Sequence, residues 1–161
     1  MNYVVCGPPG SGKTSYVMQQ KLWGDLIIDT DLIFQALTWL PPYEKPDYLV
    51  SLVFSVRDFV LSRIKLTENR WANNCLIMSG ARAQERANMA GSFNAQVLVI
   101  EAPAADCLLH IGRDKRRKDK VQLWIPLVQK WWAEYQPCGT DVIIRPQEFK
   151  AGEEALDGVA D

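Results

Sequence analysis

Apolar residues along the chain fall into two patterns, short unbroken runs and longer stretches at helical spacing. Tyr3-Val4-Val5-Cys6, Asp25-Leu26-Ile27-Ile28, Cys75-Leu76-Ile77-Met78, Gln96-Val97-Leu98-Val99-Ile100 and Asp141-Val142-Ile143-Ile144-Arg145 are runs of strand length. Mostly unbroken apolar runs are what strands covered on both faces require. Between them the spacing predicts helices from Lys13 to Trp23, from Asp31 through Leu37 until Pro41-Pro42 ends it, and from Pro46 to about Asn69. Further helices are predicted over Arg82 to Met89, Ala104 to Ile111 and Val121 to Tyr135. Strands alternating with helices predict an α/β, three-layer sandwich built on a five-stranded, mainly parallel sheet. No repeat or long linker divides it, so residues 1–147 are expected to form one domain, followed by a tail over 148–161.

Composition narrows the chemistry. At 161 residues and 48% hydrophobic content the chain can bury a core without disulfides or a structural metal. Cys6, Cys75, Cys107 and Cys138 are widely spaced and read as reduced, mostly buried thiols of a cytoplasmic protein, and neither a signal peptide nor a membrane span is evident. A single histidine, His110, excludes multi-histidine metal sites. Net charge is −1, but Glu148 to Asp161 holds five acids against Lys150, so the preceding body carries +3. Much of that charge sits in Arg113-Asp114-Lys115-Arg116-Arg117-Lys118-Asp119-Lys120, with six bases and two acids.

Gly7-Pro8-Pro9-Gly10-Ser11-Gly12-Lys13-Thr14 fits G-x-x-x-x-G-K-[ST] between a predicted strand and a predicted helix. A chance match in a chain of this length has a probability of roughly half a per cent. Small residues let the backbone wrap phosphate oxygens, amides and the helix start supply donors, and Lys13 adds charge at the outer phosphates. Thr14 would complete a Mg2+ shell shared with those phosphates, so ATP or another nucleoside triphosphate with Mg2+ is the expected ligand.

Phosphoryl transfer also needs a group to orient or deprotonate the acceptor and positive charge at the transferring phosphoryl. Asp29-Thr30-Asp31 places two carboxylates at a strand end, where ligands gather in open α/β sheets. One would take the acceptor proton and the other hold metal-bound water, although Asp31 also suits a helix cap. Arg113, Arg116 and Arg117 lie in the basic segment, which would serve as a lid over about residues 112–120 or as a solvated turn. Arg82 and Arg86, spaced i and i+4, would grip an acceptor phosphate or simply face solvent. Trp124, Trp131 and Trp132 suit a core better than base stacking, and His110 has no evident partner.

The P-loop GPPGSGKT, the following Asp-x-Asp and the late basic segment together resemble the P-loop kinases, in particular the kinase domain of bacteriophage 5′-hydroxyl polynucleotide kinase and small phage P-loop proteins. The resemblance covers most of residues 2 to 146. It implies a sheet order of 2-3-1-4-5, Asp31 as general base, Lys13 and Thr14 as phosphate and magnesium ligands, and a lid arginine, with Arg116 the choice, as stabiliser of the transferred phosphoryl. The chain departs from polynucleotide kinases at Phe34, where those carry arginine, and at Ser79, where they carry an acid. Ser79 also leaves the third strand without the acid of motor-type ATPases, and Glu101 is the nearest strand-end substitute.

Two functions follow as expectations. The first is Mg2+-dependent transfer of the ATP γ-phosphate to a hydroxyl on a nucleotide, a polynucleotide 5′ end or a related acceptor. The second is an accessory ATPase or switch that serves a DNA or protein partner, with no membrane partner in either case. A scaffold that binds nucleotide without chemistry conflicts with the intact Lys13-Thr14 pair.

Overall fold

The computed structural model describes residues 1–66 and 72–146. Among them five strands form one sheet: β1 (Asn2–Cys6), β2 (Leu26–Asp29), β3 (Asn74–Ile77), β4 (Gln96–Ile100) and β5 (Val142–Ile144). The order is β2-β3-β1-β4-β5 and every pair is parallel, with Val4 opposite both Leu76 and Val97. The helices are α1 (Lys13–Gln20), α2 (Thr30–Thr38), α3 (Val50–Leu66), α4 (Ala83–Phe93), α5 (Ala104–Arg113) and α6 (Val121–Glu134). The acidic tail and the predicted end of the long helix near Asn69 lie outside the described residues. None of the described helices is long and apolar enough to cross a membrane.

The period-2 alternation of β-strands divides the core. Val4, Cys6, Leu76, Val97 and Val99 meet Leu61 and Ile64 of α3, Phe93 of α4 and Trp131 of α6 on one face. Val5, Cys75, Ile77, Leu98 and Ile100 meet Val17 of α1 on the other. A third cluster, with Cys107 and Ile111 of α5 against Val128 of α6, joins the last two helices into a hairpin. Trp131 is thus core, and its indole N–H donates to the Ser79 carbonyl at 2.8 Å.

Element ends depart from the sequence pattern where side chains bind backbone. Helix α1 stops at Gln20 rather than Trp23, because Asp25 accepts the Leu22 amide at 2.8 Å and holds a turn there. That use of Asp25 shifts β2 one residue on, to end at Asp29. Asp47–Leu49 forms a single 3-10 turn, with Pro46 at its cap, before α3 begins at Val50. Helix α4 starts after Arg82 and runs on to Phe93, where Asn94 closes it in the left-handed conformation.

The largest correction concerns Arg86, which does not face an acceptor. Its side chain is fully buried and donates to Asp141 Oδ2 at 2.6 and 3.0 Å, to the carbonyls of Gly80 and Ala81 at 2.9 and 2.8 Å, and to that of Gln136. The guanidinium therefore ties the loop after β3 to the segment between α6 and β5. Removing one member of such a buried pair strands the other charge in a low-dielectric interior. Asp141→Ala is expected to cost about 3–5 kcal/mol in denaturant-induced unfolding; a loss below about 1 kcal/mol, the value of a surface pair, would contradict this tie.

Candidate active site

The central strand β1 delivers Gly7 to Thr14 to the carboxyl edge of the sheet, beside the place where the chain crosses from the β3 side to the β4 side. The Gly7 amide donates to the Ser79 carbonyl at 3.1 Å, so the carbonyl bound by Trp131 also fixes the loop's entry. Gly10 has φ +79, and a Cβ there would lie 2.5 Å from the Cys107 carbonyl oxygen and 2.9 Å from Ile111 Cγ1. Only glycine fits both that dihedral and that approach of α5. His110, without an assigned partner in the sequence, places Nδ1 3.0 Å from the Gly10 carbonyl oxygen. His110 and Cys107, one turn apart on α5, therefore brace the loop together.

Two observations show that the loop fits an anion. The N-cap position of α1 is Gly12, in the left-handed region, with no side-chain cap, and the first-turn amides of a helix have no acceptor within it. The Ser11 hydroxyl is buried without a partner among the described residues. Lys13 Nζ meanwhile donates to the carbonyls of Gly7 and Pro8, both at 2.8 Å. Although the residue as a whole is half-buried, its ammonium is enclosed, and loss of hydration pulls its pKa down to about 8 despite nearby Cys6, Cys107, Asp29 and Asp31. Thr14 is exposed at the same helix start. The described residues hold no cluster of three His, Cys, Asp or Glu, so a Mg2+ here would draw its ligands from phosphate, water and Thr14.

At the end of β2 the roles of the two carboxylates separate. Asp29, not Asp31, caps α2, its Oδ1 accepting the Asp31 amide at 2.9 Å. Burial, and then the charge of Asp31, raise the Asp29 pKa. The Asp31 carboxylate is free of capping and pairs with Lys45 Nζ, a partner the sequence gave no periodic signal for. Phe34 is buried in the core, which accounts for an apolar residue at that position.

The basic segment is self-paired. Asp114 accepts Arg116 Nε and Nη2, both at 2.9 Å, and Arg117 Nε at 2.8 Å. Burial would raise the Asp114 carboxyl, but the Arg116 hydrogen bonds and the Arg117 charge override it and hold it at about 2. Arg116 and Arg117 lie over the Tyr43 ring at 5.6 and 4.9 Å, and Arg117 also lies over Trp124. Arg113 is exposed at the end of α5. Arg82 is exposed too and pairs with Glu134 at 3.2 Å, away from the buried Arg86 with which the sequence had grouped it. Glu101 accepts the Tyr135 hydroxyl at 2.8 Å. Burial pushes the thiols of Cys6 and Cys75 up to about 12 and that of Cys107 to about 11, which disfavours the thiolate form.

No family model and no curated protein matches the sequence. Solved structures do match in fold. The tunicamycin resistance protein of Deinococcus radiodurans is 16% identical with a TM-score of 0.57, covering 93% of this chain and 88% of its own. Shikimate kinase from Acinetobacter baumannii, in complex with shikimate, is 20% identical with a TM-score of 0.51, covering 89% and 82%. The chain shares its α/β fold with these structures. A chain of the Pnkp1/Rnl/Hen1 RNA repair complex is 16% identical with a TM-score of 0.56, covering 84% of this chain but 46% of its own.

The enclosed Lys13 sets a pH dependence. Between about pH 8 and its ordinary value of 10.5 the unfolded chain binds this proton and the folded one does not, so this group's contribution to stability rises with pH across that window. Lys13→Met should lack that rise, so the stability difference between the native protein and the variant should itself climb with pH across the window in phosphate-free buffer. A constant difference from pH 7.5 to 10.5 would show that the ammonium is solvated.

Proposed function

We propose that the protein is a Mg2+-dependent phosphotransferase that moves the γ-phosphate of ATP, or of another nucleoside triphosphate, to a hydroxyl of a nucleotide, a polynucleotide 5′ end or a related acceptor. The observation that carries this reading is the uncapped α1 start with Lys13, set at the same sheet edge as an Asp31 carboxylate that caps nothing. Gly7 to Thr14 wrap the phosphates, with Lys13 leaving the Gly7 and Pro8 carbonyls for a phosphate oxygen. Thr14 would help hold a Mg2+, which would supply neutralisation of the phosphate charge. Asp31 takes the proton of the acceptor hydroxyl as its oxygen bonds to the phosphoryl group and the bridging oxygen departs with the diphosphate.

Residues 112–120 act in this scheme as a lid. Arg116 and Arg117 exchange Asp114 for phosphate oxygens, Arg116 at the transferring phosphoryl, and Arg113 adds charge from the end of α5. With Arg86 buried, Arg82 is the member of that pair left to serve the acceptor side, since a surface pair such as that with Glu134 is readily exchanged. Asp29 shapes the acceptor side by positioning α2. The fold neighbours include a kinase in complex with shikimate and a chain of an RNA repair complex, which supports testing both small and polymeric acceptors. The resemblance to phage kinase domains supports action in the cytoplasm of a phage-infected bacterium. An accessory ATPase would instead need an acid to orient water, and Glu101, its candidate, is engaged by Tyr135.

Incubation with γ-labelled ATP and a panel of nucleosides, oligonucleotides with 5′ hydroxyls and small polyols should transfer label to an organic acceptor. Asp31→Asn should slow that transfer by about 10² to 10⁴ while leaving nucleotide affinity within a few fold. Lys13→Ala should weaken both. Label released only as inorganic phosphate, and only with a DNA or protein partner, would replace this reading with the ATPase.

A further inference from the structure

The ion pair between Lys45 and Asp31 is at odds with a base that works unaided. An ammonium seated on the carboxylate occupies an oxygen that the acceptor hydroxyl would have to reach. The pair is also easily exchanged, with the two side chains 38% and 35% exposed. The placement of Lys45 is built in, however. It lies in a segment stiffened by Pro41, Pro42 and Pro46, with Trp39 and Tyr43 both at positive φ, 58° and 69°. Tyr43 is held edge-on against Trp124 at 5.2 Å and beneath Arg116 and Arg117, and Glu44 lies 3.9 Å from Lys120. The segment thus spans from the basic 114–120 region to Asp31.

We propose that Lys45 is a specificity-determining residue that reads an anionic group, phosphate or carboxylate, on the acceptor, and that in doing so it leaves Asp31 free to act as base. The inference rests on the phosphotransferase reading and deepens it. Arg116 and Arg117 lie on Tyr43, whereas Lys45 contacts the carboxylate that would meet the acceptor hydroxyl. An anion that attracts Lys45 is therefore on the acceptor, while the triphosphate belongs to the arginines. The exchange moves no proton: the ammonium passes from one anion to another, and the carboxylate oxygen it leaves is open to the acceptor hydroxyl. A neutral acceptor offers Lys45 nothing, so the pair persists and transfer is slow.

The test uses matched acceptors, a nucleoside with and without a 3′-phosphate and a polyhydroxy acid against its neutral polyol. Each is titrated calorimetrically onto the full chain with Mg2+ and a non-hydrolysable ATP analogue, then assayed for transfer with ATP. The charged member of at least one pair should bind more tightly. Lys45→Ala should raise its Kd and KM by about 10- to 100-fold, leave the neutral member's KM unchanged and hold or increase the neutral member's kcat, while Lys45→Arg should restore the preference. The two charged members separate phosphate from carboxylate as the group read. No difference in binding between charged and neutral members, or an equal loss for both in Lys45→Ala, overturns the anion site even if transfer occurs. A charge preference abolished by Lys45→Ala, without transfer to any acceptor, upholds the anion site and overturns the phosphotransferase reading instead.

Discussion

The first turn of α1 imposes the constraint around which the rest is arranged. Helix-start amides lack acceptors within their own helix, and here the cap position is a left-handed glycine with no side chain to supply one. An anion from outside the chain would satisfy them and would be favoured by the helix dipole. Holding the loop open for that anion takes the Ser79 carbonyl on the Gly7 amide, His110 at the Gly10 carbonyl, and the body of α5 against Gly10. Arg86 and Trp131 in turn hold the loop after β3 from which Ser79 projects. Much of the buried polar structure therefore serves to position one short loop.

The cations around this loop share a second feature. Each of the main ones has an internal stand-in for an anionic ligand: Lys13 holds two carbonyls, Lys45 holds Asp31, and Arg116 and Arg117 share Asp114. Gathering positive charge at one sheet edge without ligand would carry a repulsive cost, and these contacts offset it while remaining exchangeable. The Arg86–Asp141 pair differs in kind, being buried at both ends and surrounded by carbonyl acceptors, so it is architecture. Near-complete burial of both side chains, together with the Gly80, Ala81 and Gln136 carbonyls, sets Arg86–Asp141 apart from the other pairs, which residue type and spacing do not do.

That distinction explains what was legible in the sequence. The strands were readable because burial on both faces demands continuous apolar runs, and β4 matches its run residue for residue. The P-loop was readable because its glycines answer local dihedral and contact requirements. Arg86 was misread because i and i+4 spacing places side chains on one face without saying whether that face meets water or Asp141, which is 55 residues away in the chain. The cap exchange between Asp29 and Asp31 turned on a one-residue shift of β2, itself caused by Asp25 bonding Leu22. Lys45 and His110 were silent because their partners are distant in sequence and each stands alone without a motif.

The single histidine shows how α5 links the two halves of the site. His110 meets the Gly10 carbonyl, and Arg113, three residues on, ends the same helix immediately before Asp114 and its two arginines. Ile111, between them, is fully buried against Val128 and lies under Gly10, so α5 cannot shift without disturbing the loop. A rigid element with one end in the P-loop and the other carrying the arginine segment constrains where that segment can begin its motion. In the proposed scheme the residues after Arg113 would rearrange about a fixed base, bringing their charge toward an anion at α1 instead of dispersing it into solvent. One histidine suffices because its place in this scheme is to brace backbone, and the proton falls to a carboxylate.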